Sequence, residues 1–150
     1  MDIYKISDKV SYVGVDDHTT TLFEGLWTLP NGASYNSYLV DGGDKVALID
    51  TVDADCFATF LANIKDRIGD RCIDYLVVNH MEPDHSGSIS LIKAHYPGIE
   101  IVGNAKTAQM LKGFYGIDSG VKVVAERHIA QFPPHPHASL ARNNDDIRGQ

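Results

Sequence analysis

Cysteine is scarce in this 150-residue chain: Cys56 and Cys72 stand alone, sixteen positions apart, with no CxxC pair. That excludes a disulfide scaffold and disfavours a thiolate metal site; both read as free thiols of a reducing cytoplasm. Basic residues are the minority sign, 13 Lys and Arg against 20 Asp and Glu, for a net charge of -7. Such a balance gives no electrostatic footprint for nucleic acid or an anionic membrane. No apolar run approaches membrane-spanning length. The start Met1-Asp2-Ile3-Tyr4-Lys5 lacks the basic and apolar regions of a secretory leader, so a cytoplasmic location is expected. There is no internal repeat.

What remains is an ordinary globular composition, 43% hydrophobic and 22% charged. It suits one domain large enough to bury a core. Lys9–Val15 alternates in places and predicts a strand. The stretch 16–32, punctuated by Gly25, Pro30, Asn31 and Gly32, reads mainly as a long loop. Ser34–Val40 and Lys45–Asp50 predict strands joined by the hairpin turn Asp41-Gly42-Gly43-Asp44. Phe57, Phe60, Leu61, Ile64 and Ile68 recur at helical spacing, predicting a helix over 54–68 with Gly69 at its carboxyl cap. Strands over 73–78, 99–102 and 121–124 alternate with helices over 88–95 and 105–114. That alternation is an α/β signature.

The chemistry concentrates in Asn79-His80-Met81-Glu82-Pro83-Asp84-His85-Ser86-Gly87-Ser88, directly after the buried strand Ile73–Val78. Four potential metal ligands, His80, Glu82, Asp84 and His85, fall within six residues. Alternate residues leaving a strand share a side, so His80, Glu82 and Asp84 converge, while His85 turns away and can serve a second ion. Imidazole and carboxylate without thiolate suit iron, manganese or zinc, and a carboxylate in place of a His favours iron. The bland alternative is a polar surface loop, since acidic residues and His often cluster after strands. The preceding buried strand and the following helix opening at Ser86-Gly87-Ser88 favour the metal reading.

Other residues carry weaker signals. Asp50-Thr51 supports the metal ligands from behind or merely caps a turn. His18, alone in a loop, is expected to be solvated more than to line a pocket. Trp27, Tyr35 and Tyr38 read as core or dimer surface. His95 at a helix end is explained by the helix dipole, and His135-Pro136-His137 is discounted as a metal clip.

The pattern His-x-Glu-x-Asp-His at a strand end resembles the metallo-β-lactamase superfamily, and Glu at its third position resembles the flavodiiron branch. Residues 17–27, Gly32–Val40, Lys45–Val52 and Val78–Ser88 are similar to stretches of that family, and the likeness covers about residues 1–124. It implies a partial αββα sandwich, its amino-terminal half, with His80 and Glu82 on one iron and Asp84 and His85 on the other. It also implies a diiron centre fed by FMN in a flavodoxin-like domain, an electron donor such as rubredoxin, and a head-to-tail homo-oligomer. The implied reaction is reduction of oxygen to water or of nitric oxide to nitrous oxide. The family's remaining ligands are a His in a PMxHWP-like segment, a bridging Asp and a further His. All should follow residue 124, and neither they nor a flavodoxin-like domain is recognisable here.

Residues 125–150 have neither helical nor strand periodicity and read as a disordered, non-family tail. Read one nucleotide later, codons spanning His135 to Arg148 permit Thr-Pro-Met-Leu-His-Trp-Pro-Glu-Thr-Met-Met-Thr-Tyr, which resembles the absent segment. The tail is therefore expected to be out-of-frame translation of a damaged or misread gene. DNA that cannot yield this segment in the shifted frame refutes that. The expectation is an amino-terminal flavodiiron fragment, inactive as a reductase. The rivals are a zinc-dependent hydrolase of the same superfamily, which predicts His at position 82, and a non-enzymatic binding or dimerisation fragment.

Overall fold

The computed structural model describes residues 5–23 and 26–125. In chain order it contains β1 (Val10–Tyr12), β2 (Val15–Asp17), β3 (Leu22–Phe23), β4 (Trp27–Thr28), β5 (Ala33–Tyr35), β6 (Tyr38–Asp41) and β7 (Val46–Ile49). A 3₁₀ turn, Ala54–Cys56, leads into α1 (Phe57–Ile68), followed by β8 (Tyr75–Val77), α2 (Pro83–Ser86) and α3 (Ile89–His95). β9 (Glu100–Gly103), α4 (Ala105–Tyr115) and β10 (Val121–Val123) complete it.

Six strands form one mixed sheet in the order β1-β6-β7-β8-β9-β10. β1, β6 and β7 pair antiparallel, and β7 to β10 run parallel. The parallel strands follow one another in sequence order, so right-handed crossovers place α1, α3 and α4 on the same face. On one face Leu39, Leu48, Leu76 and Ile101 stand in register across four strands, all buried. They join one core with Phe60 and Ile64 of α1, Ile89 and Ile92 of α3 and Leu111 of α4. Burying that apolar row against the helices is the main driving force of the fold. The alternate row, Tyr38, Ile49 and Val77, is only half-buried.

α1 begins and ends where its sequence dictates. Asp53 accepts the Asp55 amide at 2.9 Å ahead of the 3₁₀ turn, and Gly69 (φ 60°) gives its amide to Lys65 O at the far end. The polar exception on its inner face is buried Asn63, whose Nδ2 donates to Gly14 O at 2.8 Å and Val13 O at 3.3 Å. It thereby ties the helix to the link between β1 and β2.

Three expectations change. The single strand over 9–15 is two, because the chain leaves its partner β6 at Val13 and joins β5; a Cβ on Gly14 would lie 2.2 Å from Tyr35 O. The strand over 34–40 divides in the same way at Ser37, which is buried and donates its hydroxyl to Ile49 O and Asp50 O at 3.1 and 3.0 Å. The loop over 16–32 holds a small hairpin, β3 with β4, pairing Leu22 with Thr28 and Phe23 with Trp27. The tail from 126, with His135, His137 and the shifted reading, lies outside the described residues. No helix among the described residues is long and apolar enough to cross a membrane.

Candidate metal centre

The candidate ligands leave the carboxyl end of β8, the usual place for function in a parallel sheet. Its neighbour β7 ends alongside, so residues 50–53 run beside the ligand loop. Asp50 takes the left-handed conformation (φ 55°), unusual outside glycine. Its carboxylate accepts the amides of Asn79 at 2.7 Å and His80 at 3.2 Å. Thr51, buried, gives both its amide (2.9 Å) and its hydroxyl (2.8 Å) to His85 O. Ser88, also buried, donates its amide to Val52 O at 3.0 Å and its hydroxyl to Asp53 O at 3.2 Å. Asp50-Thr51 thus holds the segment carrying the candidate ligands through its backbone groups, an arrangement compatible with both expected roles.

Pro83 opens α2 at a position where its missing amide costs nothing. Glu82 O accepts the amides of His85 and Ser86, each at 2.9 Å. Gly87 follows because the segment packs directly on 53–54: a Cβ there would meet Pro83 O at 2.7 Å and Ala54 N at 2.8 Å. This one-turn helix was not legible in the sequence, and it alters the expected side-chain directions. Neighbours on a helix differ by about 100°, not by the strand's half-turn.

One donor atom from each of His80, Glu82 and Asp84 lies within 4.8 Å of the other two. His80 Nε2 is 3.3 Å from Glu82 Oε2. His85 stands outside this group of three but next to it. Its Nε2 is 3.5 Å from Asp84 Oδ2, and its ring centre is 5.4 Å from that of His80. The four side chains therefore form one contiguous group. His80 and Glu82 are exposed, whereas Asp84 and His85 are about four-fifths covered, each with 22% of its side chain accessible. Asp84 Oδ1 and His85 Nδ1 are fully buried and have no hydrogen-bond partner among the described residues. Buried polar atoms are seldom left so, because each unmade bond costs about 1–3 kcal/mol. A cation among these donors would repay that cost, and the nitrogen and carboxylate set fits a first-row divalent metal.

A pocket of about 330 Å³ adjoins Asp84, walled also by Pro83, Asp53, Asp55, Thr20, Leu22 and Tyr35. Tyr35 is buried, which pushes its phenol above the ordinary range. Nearby, Asp17 is held down to about 2 by hydrogen bonds from the Thr19 and Thr20 hydroxyls and their amides. His18 is exposed, its Nδ1 3.3 Å from Asn31 O, and it does not line this pocket. His95 packs edge-on against Tyr96 at 4.7 Å, away from the ligands. Tyr35 is core, Tyr38 is half-buried on the sheet, and Trp27 is exposed on the hairpin. Sequence reasoning missed Ser86 and Tyr115. Ser86 Oγ donates to Met81 O at 2.8 Å and lies 2.8 Å from Tyr115 Oη.

Residues 33–139 match the family described as "ODP family beta lactamase". The flavo-diiron protein FprA2 of Clostridium acetobutylicum is 39% identical over 104 residues, 69% of this chain and 26% of that protein. The anaerobic nitric oxide reductase flavorubredoxin of Aliivibrio fischeri is 39% identical over 97 residues, 64% of this chain and 19% of that one. Among solved structures, rubredoxin oxygen:oxidoreductase from Desulfovibrio gigas superposes with a TM-score of 0.75 at 31% identity, covering 82% of this chain and 31% of that chain. A metallo-beta-lactamase from Cronobacter sakazakii shares the fold alone, at 22% identity and a TM-score of 0.58. The chain spans less than a third of the length of the flavodiiron relatives it matches. Its mixed sheet with helices is the α+β fold of those neighbours, and the chain belongs to the ODP family of beta-lactamase-fold proteins, within the flavodiiron group.

Proposed function

We propose that His80, Glu82, Asp84 and His85 are metal ligands, and that this chain is the portion of a flavodiiron oxygen or nitric oxide reductase carrying the first ligand loop of the diiron site. The observation that carries the reading is the convergence of three donors within 4.8 Å beside two buried, unpartnered donor atoms. The family names of its relatives add the reaction: one is a nitric oxide reductase and another a rubredoxin oxygen:oxidoreductase.

Iron, when bound, supplies the one-electron chemistry and Lewis acidity by which the diatomic substrate is held and reduced. FMN and a rubredoxin-type donor would feed it electrons in the whole protein, a cytoplasmic homo-oligomer. This chain's own part is positioning. His80 and Glu82 serve one ion and Asp84 and His85 the other, with Asp50, Thr51 and Ser88 fixing the loop that carries them. Glu82 sets the preference for iron over zinc, because a second carboxylate brings charge and hardness that imidazole lacks. Four side chains are few for two ions, so further donors would complete the coordination in the whole protein.

Anaerobic titration of the full chain with ferrous iron, or with cobalt(II) as a coloured substitute, tests this. Wild type should bind, and His80→Ala together with Asp84→Asn should abolish binding while the melting temperature of the metal-free protein stays within a few degrees. Tight zinc with thioester or phosphodiester hydrolysis would transfer the chain to the hydrolases. A folded species that takes up no metal would refute the ligand assignment.

A further inference from the structure

We propose that Tyr115, at the end of α4, is a positioning residue for the metal-ligand loop, acting through Ser86 on the peptide that joins His80 to Glu82. This rests on the ligand assignment above. Ser86 is fully buried, and its Oγ lies 2.8 Å from both Met81 O and Tyr115 Oη. A carbonyl oxygen only accepts, so the single Ser86 proton is spent on Met81 O. The Tyr115 hydroxyl must then be the donor to Ser86 Oγ. The result is a directed chain, Tyr115 O–H to Ser86 O–H to Met81 C=O, in which each bond polarises the next.

Its far end is well placed to matter. Met81 separates two candidate ligands, and fixing its carbonyl fixes the peptide plane whose rotation would swing Glu82 away from His80. The near end is rigid. Gly116, in the left-handed conformation (φ 65°), closes α4 by giving its amide to Lys112 O, and Ile117 gives its own to Leu111 O. Tyr115 and Met81 both pack on the hydrophobic core. α4 thus reaches the loop from the side opposite Asp50, and the ligand segment is held between two supports. No residue of this relay is itself a metal donor, so its influence is transmitted through geometry alone.

Tyr115→Phe keeps the ring and removes only the donor. In the full-length chain it should weaken cobalt(II) binding by about three- to tenfold, somewhat less than the loss usual for a direct neighbour of a ligand. It should also speed hydrogen exchange of the His85, Ser86 and Gly87 amides in metal-free protein, while the amides of α1 exchange as in wild type. Ser86→Ala should do at least as much, and the double variant no more than Ser86→Ala alone, because the two hydroxyls form one chain. Unchanged loop exchange in Tyr115→Phe, or strictly additive effects of the two substitutions, would overturn the proposal. If wild type takes up no cobalt(II), the ligand assignment falls, and loop exchange still decides whether Tyr115 positions this segment.

Discussion

Asp50 offers a quantitative check on how the ligand loop is held, because two opposing effects meet in one residue. Its left-handed backbone (φ 55°) is strained for a residue with a Cβ, by about 1 kcal/mol for Asp, which tolerates this region better than most. Against that, its carboxylate accepts the Asn79 and His80 amides at 2.7 and 3.2 Å. Hydrogen bonds to a charged acceptor contribute about 1.5–3 kcal/mol each when buried. Asp50 is half-buried and Asn79 and His80 are exposed, so solvent reduces the pair to about 2 kcal/mol in total. Asp50→Ala loses the bonds and keeps the strain, and should cost about 2–3 kcal/mol. Asp50→Gly loses the same bonds but releases the strain, for a net cost of about 1 kcal/mol. Asp50→Asn keeps a neutral acceptor and the conformation, and should also cost about 1 kcal/mol. Urea unfolding of the three variants measures the order, and exchange at the Asn79 and His80 amides reports the loop directly. A glycine variant as stable as wild type, or alanine and glycine variants of equal stability, would refute this partition between clamp and strain.

Three further outcomes are expected. Asn63→Leu should destabilise the fold by about 1–3 kcal/mol in urea unfolding, since the carbonyls of Val13 and Gly14 lose a buried donor. Gly87→Ala should cost a similar amount, about 1–3 kcal/mol by overpacking against Pro83 O and Ala54 N, and should weaken metal uptake because the loop must shift. Asp17, held down to about 2 by the Thr19 and Thr20 hydroxyls, contributes stability that is fully present above the ordinary carboxylate range. That contribution is lost as pH falls from about 4 through about 2. In Asp17→Asn the unfolding midpoint should therefore vary less over that window.

How much of this was legible in the sequence follows from the range of the forces involved. α1, α4 and the strands from β7 to β10 announce themselves, because each is a local apolar pattern, and α1 also carries its own stop at Gly69. The breaks at Gly14 and Ser37 do not, since they arise where the chain exchanges one partner strand for another across the fold. The β3–β4 hairpin has two-residue strands, too short for a period-two pattern to emerge. At the candidate site the ligand types were legible because their chemistry is particular to side chains. The single turn over Pro83–Ser86, which sets His85 beside Asp84, was not, because four residues carry no period of their own. Of the supports, Asp50-Thr51 was a candidate from its place at a strand end, but Ser88 and Tyr115 were not: they act on a backbone carbonyl and on a serine hydroxyl 35 and 29 residues away, and such contacts leave no local motif.

The hydrogen bonds also indicate which part of the fold holds the candidate site. Every hydrogen bond named above that fixes the ligand loop comes from residues 50–53, from the loop itself or from Tyr115. Those elements stand on β7, β8 and α4, whose helix-facing side chains are the best buried in the molecule. Of the half-buried row Tyr38, Ile49 and Val77, Val77 contributes its carbonyl, which accepts the Asp50 amide at 2.8 Å. The loop is therefore held from the end of β7, from β8 and from α4 together. Under the proposed assignment a metal would meet donors already gathered, with most of the ordering entropy spent in folding. Asp84 Oδ1 and His85 Nδ1 are buried without a hydrogen-bond partner among the described residues. On the metal assignment proposed above, these are atoms that a cation would satisfy, and Asp50 takes a left-handed backbone while holding the loop that carries them.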